Sequence, residues 1–266
     1  MGDFYKKILE EICQEEKIKY TDFSYGYVTM LEKNDARKFI NGTHIGNNSY
    51  MATLLADDKY AMYEVLKNAN LPVVEYMLIW DRNDIKENIF HKIEKLKEYY
   101  NAHNQHIVLK PNRGYGGKMV YNIENENQIE PAFKELLALT DTIVANPFYE
   151  AKSEHRVIIL EGKVRLLYSK IHENEGWQFN LAKGGKVSKI TLKSLENALE
   201  NLAIKAYECI GANFVSIDIF ENMNGKLDIL EINGSVALEK YLEQQPEEYK
   251  NVKNIYRDAI LSMFEK

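Results

Sequence analysis

The chain has 266 residues, of which 45% are hydrophobic and 28% are charged, so it is long enough for one large or two modest domains with a sizeable core. Its formal net charge of −6, with lysines and arginines spread along the chain, argues against a nucleic-acid-binding protein. No apolar run approaches the roughly 20 residues of a membrane span, and two cysteines offer no disulfide framework, so a cytoplasmic location is expected.

The first fifth of the chain predicts a helix and a β-hairpin. Apolar residues recur at helical spacing over residues 3–19, among lysines and glutamates. Alternating aromatic residues over 23–31, the turn pair Asn34-Asp35 and residues 37–42 predict two paired strands. A turn-rich stretch follows, and we expect this N-terminal segment to be too short for an independent domain.

The rest of the chain alternates between helical and extended patterns. Asp58 has the residue type and the position of an N-cap for a helix over 59–68. The later predicted elements are, in chain order, a strand at 71–80, a helix at 83–100, strands at 106–110 and 119–123, a helix at 128–138, a strand at 142–145, a hairpin over 155–171, and helices at 193–209 and 246–264. This pattern predicts an α+β fold with antiparallel sheets covered by helices.

One predicted hairpin places two acids face to face. Asn-Gly is the strongest short-range signal for a two-residue hairpin loop, because both central residues of a type I′ turn need positive φ. With the loop at Asn224-Gly225, Asp218 lies opposite Glu231 at a spacing where like charges repel, so we expect positive charge between them and expect the fold to tolerate neutralising either acid. Asn233 shares their face, and the three side chains suit a hard cation such as Mg²⁺. The alternative is an exposed hairpin whose acids are simply solvated.

A second informative stretch, residues 110–118, is rich in glycine and lysine. Its sequence KPNRGYGGK has three glycines in four positions, so backbone amides can approach an anion while the lysines add charge for phosphate. It is not a Walker A loop, because Lys118 is followed by Met119 rather than Ser or Thr, and no helix follows as a dinucleotide-binding fingerprint requires. We interpret it as a phosphate flap, with a plain glycine-rich turn as the alternative.

The order of these motifs resembles the ATP-grasp superfamily of carboxylate-amine ligases. The series runs Lys59, Lys110-Pro111 with its glycine loop, Glu154-His155-Arg156, Lys170, Asp218, Glu231 and Asn233. The likeness covers roughly residues 41–240, and its first part, NGTHIGNNSYMATLLADDKYAMYEVLKNANLPVVEY, is most similar to cyanophycin synthetase, bifunctional glutathione synthetase and the ribosomal-protein glutamate ligase. The resemblance implies an ATP-grasp fold, with a reduced N-terminal segment over 1–55 and two α+β subdomains, over 56–145 and 146–266, that grip the nucleotide between antiparallel sheets.

The same resemblance assigns roles to individual residues. The phosphates of ATP would be bound by Lys59, Lys110 and the flap residues Asn112, Arg113, Gly114, Tyr115, Gly116, Gly117 and Lys118. Adenine would lie against the hinge residues Asn146 and Phe148, with Glu150 as the candidate for the ribose. The catalytic residues would be Arg156 and Lys170, which would steady the γ-phosphate or an acyl phosphate. One or two Mg²⁺ ions, or Mn²⁺ in their place, would be held by Asp218, Glu231 and Asn233.

The implied activity is ATP-dependent ligation of a carboxylate to an amine through an acyl phosphate. The implied partner is a small amino acid or peptide, with neither nucleic acid nor membrane, and a homodimer is one candidate assembly. Two alternatives stay open: an ATP-grasp-fold kinase that phosphorylates a hydroxyl, and a non-catalytic nucleotide-binding module. Ser216 stands where the D-alanine ligase branch has arginine, which argues against that substrate. Because the N-terminal segment is short, substrate recognition is expected to be reduced, supplied by another subunit, or built from residues 41–50 and 235–245.

Overall fold

The computed structural model describes residues 3–81, 88–114, 116–172 and 176–265. These residues form three antiparallel β-sheets with helices packed on their faces. The antiparallel α+β organisation predicted from the sequence is confirmed. Within the same residues, no helix combines the length and the apolar character needed to cross a membrane.

The N-terminal part consists of helix α1 and a four-stranded sheet. Helix α1 is Asp3–Glu15, and the sheet has the order β1-β2-β3-β4, formed by β1 (Lys19–Phe23), β2 (Val28–Lys33), β3 (Ala36–Asn41) and β4 (His44–Ile45). The predicted hairpin is confirmed as β2 and β3, whose turn residues Asn34 and Asp35 have φ of 51° and 61°. The expectation that Phe23 begins the strand of Leu31 is wrong, because the chain turns at Ser24–Gly26 and Phe23 ends β1.

Two helices follow, α2 (Tyr50–Asp57) and α3 (Lys59–Asn68), with Asp58 between them. The N-cap prediction for Asp58 is confirmed, since its Oδ1 accepts a hydrogen bond from the backbone N–H of Ala61 at 2.9 Å. Helix α2 is absent from the sequence prediction, because the turn-forming residues before it hide its start; its N-cap is Ser49. The junction places Lys59 in the first turn of α3, where it lines a cavity.

The second sheet has the order β5-β8-β6-β7 and contains β5 (Met77–Asp81), β6 (Ile107–Pro111), β7 (Tyr121–Ile123) and β8 (Thr142–Pro147). Helices α4 (Ile89–Ala102) and α5 (Ile129–Leu139) pack on one face of it, around Leu96 and Phe133. The prediction of a strand from residue 71 is wrong in its first half, because Val73 instead forms an isolated parallel bridge to Ile229. The start of the helix predicted over 83–100 lies outside the described residues.

The third sheet has the order β11-β10-β9-β12-β13 and contains β9 (Ala151–Leu160), β10 (Lys163–Ile171), β11 (Lys186–Ser188), β12 (Phe214–Asn222) and β13 (Leu227–Asn233). The hairpin predicted over 155–171 is confirmed as β9 and β10, with its turn at Glu161-Gly162. Three helices in this last part of the chain are α6 (Lys193–Ile210), α7 (Glu239–Gln244) and α8 (Tyr249–Ser262).

The two faces of β9 have different surroundings, which positions the polar residues of the strand. Val157 and Ile159 belong to the core under α6, whereas Ile158 belongs to the core built with α1 and α8. Glu154 and Arg156 share the face of Ile158, because alternate residues of a strand point the same way, and they line the cavity. The same face therefore changes from apolar core to charged wall within a few residues.

The β12–β13 hairpin has the predicted pairing but a different turn. Asp218 is paired with Glu231, as the sequence predicts. The two-residue loop is wrong, because the N–H of Asn222 donates to the carbonyl of Lys226 at 2.9 Å and leaves three residues in the loop. Gly225, with φ of 79°, supplies the left-handed conformation that this longer turn requires.

A β-bulge restores the register beyond this turn. Asp218 pairs with Glu231 but Ile219 pairs with Ile229, so Leu230 is the extra residue of β13. The Leu230 carbonyl accepts a hydrogen bond from the hydroxyl of Tyr76 at 3.1 Å. The longer loop shifts the register of the hairpin by one residue, and the bulge shifts it back. The pairing predicted for the two acids is therefore correct.

Candidate active site

A cavity of about 340 Å³ is lined by residues of the second and third sheets, of helices α3 and α7, and of the loops next to them. This volume lies within the size range of small-molecule sites. Most of the residues that the sequence analysis singled out line it: Lys59, Lys110, Gly114, Gly116, Gly117, Lys118, Asn146, Phe148, Arg156, Lys170, Asp218, Glu231 and Asn233. Among the described residues, Asn112, Arg113 and Glu150 are not part of its wall, and Tyr115 lies outside the described residues. The fold therefore brings residues from distant parts of the chain to one place.

Four charged side chains form one wall, which we call the ion cluster: Glu154, Arg156, Lys170 and Asp218. Arg156 and Asp218 are in register on β9 and β12, and the guanidinium donates from Nε to Oδ1 at 2.8 Å and from Nη2 to Oδ2 at 2.6 Å. Lys170, on β10, lies opposite Glu154 on β9. Its Nζ donates to Asp218 Oδ1 at 3.0 Å and also to the Glu154 carboxylate. Two cations thus balance two anions within the cluster.

Burial and mutual attraction together set the protonation of the ion cluster. Burial acts to raise the pKa of Asp218, but the charges of Arg156 and Lys170 outweigh it and hold this pKa well below its usual range. Burial raises the pKa of Glu154 above its usual value, against the attraction of Lys170. Burial and Arg156 act to lower the pKa of Lys170, yet the two carboxylates raise it on balance. Asp218 is therefore held ionised and Lys170 protonated.

Asp218, Glu231 and Asn233 converge, as the sequence analysis expects. The Asn233 Nδ2 donates to Asp218 Oδ2 and to Glu231 Oε1, both at 3.3 Å. The positive charge expected beside the two acids comes from side chains: the cations of the ion cluster contact Asp218, and Lys59 Nζ lies 3.6 Å from Glu231 Oε2. The repulsion between the facing acids is thus offset within the protein itself.

The donor set of these three residues suits a divalent metal ion. The amide contacts both carboxylates, so the three side chains are close enough to share one ligand, and oxygen donors are those that Mg²⁺ prefers. A half-turn of the Asn233 amide would present its oxygen in place of its nitrogen. Within the part of the chain that the structure describes, no group of three or more histidine, cysteine, aspartate and glutamate side chains could hold a metal ion. The amide therefore completes the set.

Two buried lysines bring positive charge to another part of the wall. Lys59 Nζ donates to the backbone carbonyls of Asn112 and Gly114, at 3.4 and 3.1 Å. Lys110 Nζ donates to the hydroxyl of Tyr76 at 3.1 Å and lies 4.8 Å from the centre of that ring. Burial, with the nearby charge of Lys59, lowers the pKa of Lys110 to about 8. An anionic ligand would relieve both effects.

The glycine-rich flap is anchored at its start. Asn112 Oδ1 accepts a backbone hydrogen bond from the first turn of α3 at 2.9 Å, and Arg113 pairs with Asp58 at 3.0 Å. These contacts turn both side chains toward α3, which is why neither lines the cavity. Gly116 and Gly117 have φ of 71° and 66°, a conformation that favours glycine, and both line the cavity.

The hinge side of the cavity is aromatic. Phe148 stacks on His106, with ring centroids 3.8 Å apart and 3° between the ring planes, and Trp177 lies 6.1 Å from Phe148. Asn146 Nδ2 donates to the backbone carbonyl that follows it, at 2.7 Å. Flat apolar groups of this kind suit a planar aromatic ring. Glu150 is exposed, so its assignment to the ribose stays a prediction.

Sequence reasoning missed part of the cavity wall. Glu154, which the motif series includes without a role, and Tyr168 both line it, and their alternation with Arg156 and Lys170 along β9 and β10 was the signal that could have assigned them to the site. Residues 177–182 also line it, although they lie in a stretch without helical or strand periodicity. The run Trp-Gln-Phe-Asn, aromatic residues in a glycine-containing loop, is the one cue that this stretch offers.

Comparison with known protein families agrees with this arrangement. A family model described as a RimK-like ATP-grasp domain matches residues 56–248. The chain is 29% identical over 140 residues to the tetrahydromethanopterin:alpha-L-glutamate ligase of Methanocaldococcus jannaschii, covering 49% of this chain and 46% of that protein. It is 26% identical over 196 residues to a probable alpha-L-glutamate ligase of Haemophilus influenzae, covering 72% of this chain and 59% of that protein. The chain therefore spans about half the length of these curated relatives.

A solved structure shows the same fold over nearly the whole chain. The D-alanyl-alanine synthetase A of Vibrio cholerae superposes with a TM-score of 0.72 at 12% identity, covering 99% of this chain and 93% of that chain. At this identity the likeness concerns the fold alone. With the family match, it confirms the ATP-grasp fold that the sequence resemblance implies.

Proposed function

Because the chain belongs to the RimK-like ATP-grasp family, we propose that it is an ATP-dependent ligase that joins the carboxylate of one amino acid or peptide to the amine of another. ATP-grasp ligases use ATP together with divalent metal ions. The observation that carries the proposal is that two pairs of cations line one cavity, Lys59 with Lys110 and Arg156 with Lys170. Such a concentration of positive charge, beside oxygen ligands for a metal, suits phosphoryl transfer between anions.

The cavity wall supports one placement of ATP. The base would lie at the aromatic hinge, against Phe148 and Asn146, and the phosphates would extend toward Lys59 and Lys110. The backbone amides of the flap glycines would close over the phosphates, because no Cβ obstructs their approach. Lys110, whose ammonium is buried beside Tyr76, would gain an anionic partner on binding.

In the proposed reaction, an oxygen of the substrate carboxylate attacks the γ-phosphorus of ATP, and the bond from that phosphorus to the ADP oxygen breaks. The amine nitrogen then attacks the carbonyl carbon of the resulting acyl phosphate, forms the amide, loses a proton and expels phosphate. Both steps bring anions together. Arg156 and Lys170 would offset that charge, and Ser216, beside them on the wall, would contact the substrate.

Asp218, Glu231 and Asn233 would hold one or two Mg²⁺ ions, for which Mn²⁺ is a substitute. The bound ion would supply charge neutralisation at the phosphate oxygens. In this structure Arg156, Lys170 and Asn233 occupy the acceptor positions of Asp218. The two cations would therefore release Asp218 and turn toward phosphate oxygens when the nucleotide enters.

We also propose a cytoplasmic enzyme whose partners are small substrates. Cys13 and Cys209 are free cysteines, as is usual in a reducing compartment. The formal net charge of −6 gives no basis for binding nucleic acid. Light scattering after size-exclusion chromatography would test the candidate homodimer.

The decisive experiment is hydroxylamine trapping. The full chain is incubated with ATP, Mg²⁺ and a panel of amino acids and short peptides, and ADP release identifies the carboxylate substrate. Hydroxylamine then replaces the amine and should give a hydroxamate, because it attacks an activated acyl group. A stable phosphoester without hydroxamate would instead indicate a kinase, and Mg²⁺-dependent ATP binding without any turnover would indicate a binding module.

A matched pair of variants tests whether the ion cluster takes part. Lys170→Met removes a buried cation that lines the cavity, whereas Lys163→Met removes an exposed lysine from the same strand, β10. We expect hydroxamate formation to fall about a hundredfold or more in the first variant and to stay at the wild-type level in the second. Equal activity in the two variants would contradict the role of Lys170.

A further inference from the structure

A second cavity, of about 350 Å³, adjoins the candidate active site, and we call it the side cavity. The two cavities share the wall residues Ala237 and Glu239, which follow β13 in the chain. Thr43 lines the side cavity, and its hydroxyl lies 2.6 Å from the hydroxyl of Ser235, which lines the first cavity. The two cavities are therefore neighbours in the structure.

The wall of the side cavity is mostly apolar. Helix α1 contributes Phe4, Tyr5 and Ile8 to it, and α7 and α8 contribute Leu242 and Tyr256. None of these five side chains carries a charge at neutral pH, so this space favours an apolar group over a phosphate or a carboxylate. Its volume matches that of the first cavity and leaves room for a bulky side chain.

One acidic side chain lies at the boundary between the two cavities. Glu239 lines both of them and is half-buried. Within the part of the chain that the structure describes, its carboxylate forms no hydrogen bond or ion pair, whereas the neighbouring Lys240 is paired with Glu243 at 2.7 Å. An unpaired carboxylate at this position attracts an ammonium group and repels a second carboxylate.

We infer that the side cavity is a subsite for the amine substrate, an amino acid or peptide whose bulky apolar side chain enters the side cavity while its amine lies beside Glu239. The inference rests on the proposed ligase function, since it assigns the side cavity to one of the two molecules to be joined. Glu239 disfavours the carboxylate substrate at the same position. Burial of a side chain the size of leucine or phenylalanine should tighten binding about tenfold or more relative to glycine.

Binding measurements test this inference without any turnover. Isothermal titration calorimetry with the full chain, at about pH 7, compares L-phenylalaninamide with glycinamide and with N-acetyl-L-phenylalaninamide, which has no ammonium group. We expect L-phenylalaninamide to bind about tenfold or more tightly than either of the others. Equal affinity for the three probes, or no detectable binding of L-phenylalaninamide, would overturn the inference.

Variants test separately the preference for an apolar side chain and the preference for a free amine. Ile8→Phe reduces the space in the side cavity. It should lower the affinity for L-phenylalaninamide at least about fivefold and leave the affinity for glycinamide unchanged. Phe4→Ala, at a half-buried position of the same wall, removes apolar contact and should act in the same direction if Ile8→Phe does not fold. Glu239→Gln should abolish the preference for the free amine, and Glu208→Gln, at an exposed position of α6 that lines neither cavity, should retain it.

The outcomes separate this inference from the ligase proposal. Hydroxamate formation together with equal binding of the three probes would leave the ligase standing and overturn the subsite. The expected probe preference, lost in the side-cavity variants, would support the subsite even if no hydroxamate formed. An unchanged preference in both Ile8→Phe and Phe4→Ala would place the apolar contact elsewhere and overturn the subsite.

Discussion

Arg156 donates two hydrogen bonds to Asp218, at 2.8 and 2.6 Å, across the register of β9 and β12. Bidentate arginine–carboxylate pairs combine charge with fixed geometry, and the carboxylate of this pair is buried, since Asp218 is only 1% exposed, whereas Arg156 is half-buried. Lys170 adds a third bond to the same carboxylate. The acid that is predicted to repel Glu231 is therefore held by two cations, and the two facing acids have different roles in stability.

The first prediction concerns this difference. Asp218→Asn should lower the free energy of unfolding by about 3 kcal/mol, because Arg156 loses its carboxylate partner and the buried Lys170 keeps only Glu154. Glu231→Gln should cost less, about 1 kcal/mol, since Lys59 lies 3.6 Å from Glu231 and keeps its hydrogen bonds to the carbonyls of Asn112 and Gly114. The expectation that the fold tolerates neutralising either acid is thus retained for Glu231 alone. Urea unfolding of both variants measures the difference.

A second aspartate on the same hairpin provides the control. Asp228→Asn removes a carboxylate that pairs with the largely exposed Lys226 at 2.8 Å, so its effect on urea unfolding should stay below about 1 kcal/mol. If Asp218→Asn is no more destabilising than this control, the ion cluster does not stabilise the fold.

The second prediction concerns ATP binding and pH. Burial lowers the pKa of Lys110 to about 8, so this lysine loses its charge as pH rises through that value. ATP affinity should therefore fall above about pH 8 in the wild-type chain. Lys110→Arg keeps its charge throughout, so its affinity should be flat over the same range even if it is lower. Calorimetric titration measures the ATP affinity of both chains across this range. If Lys110 did not contact the phosphates, the affinities of the wild-type chain and of Lys110→Arg would depend on pH in the same way.

The third prediction is the reverse trend in stability without ATP. The folded chain favours neutral Lys110, whereas the unfolded chain holds the proton up to the ordinary lysine pKa of 10.5. Between about pH 8 and pH 10 the unfolded state binds more protons, so the free energy of unfolding should rise with pH. Lys110→Met should remove that rise. Urea unfolding at several pH values measures the two slopes, and an equal rise in the variant would assign it to another group.

The sequence was informative where local rules and the fold agree. The Asn34-Asp35 turn, the Asp58 cap and the pairing of Asp218 with Glu231 follow from residue type and spacing, and all three are confirmed. The prediction of a two-residue loop at Asn224-Gly225 is wrong, because the register of a hairpin depends both on its turn and on its bulges. The bulge at Leu230 has no local sequence signal, so its compensation could not be predicted.

The partners of the site residues were beyond sequence reasoning for a different reason. Contact between Arg156 and Asp218 depends on β9 pairing with β12, two strands that are separated by β10, β11 and α6 in the chain. Hydrophobic periodicity predicts strands but not their order in a sheet. Residues 177–182 could not be assigned to the site for another reason. They form a loop without hydrophobic periodicity, and such a sequence does not indicate that the loop lines a cavity.

The fourth prediction tests the flap. Gly117→Val places a β-branched residue at φ of 66°, a conformation that valine rarely adopts, so the flap should shift and ATP affinity should fall about tenfold. Gly211→Val is the control, because Gly211 has φ of 61° at the end of α6, a Cβ there would meet no atom within 4 Å, and the residue does not line the cavity. It carries comparable backbone strain but should bind ATP normally. Equal affinity of the two variants would exclude a role for the flap in binding.

The fifth prediction concerns His155, which lies on the face of β9 opposite Arg156. Its Nδ1 is 2.8 Å from Ser169 Oγ on β10, and its Nε2 is 3.3 Å from Glu221 Oε2 on β12, so one buried ring links three strands that carry the ion cluster. His155→Phe should lower the free energy of unfolding by about 2–3 kcal/mol, because it leaves buried polar groups without partners. Turnover should fall as well, since Lys170 follows Ser169 directly.

The pH dependence of this effect separates His155 from general loss of packing. Burial holds the pKa of His155 below its usual 6.5, so the unfolded chain takes up a proton first as pH falls. The stability that neutral His155 contributes is therefore present above about pH 6.5 and is lost at lower pH, and this loss should be absent from His155→Phe. Urea unfolding at about pH 7.5 and pH 5.5 measures it, with exposed His91→Phe as the control that keeps the wild-type slope. If His155→Phe also keeps that slope, protonation of His155 is not linked to folding.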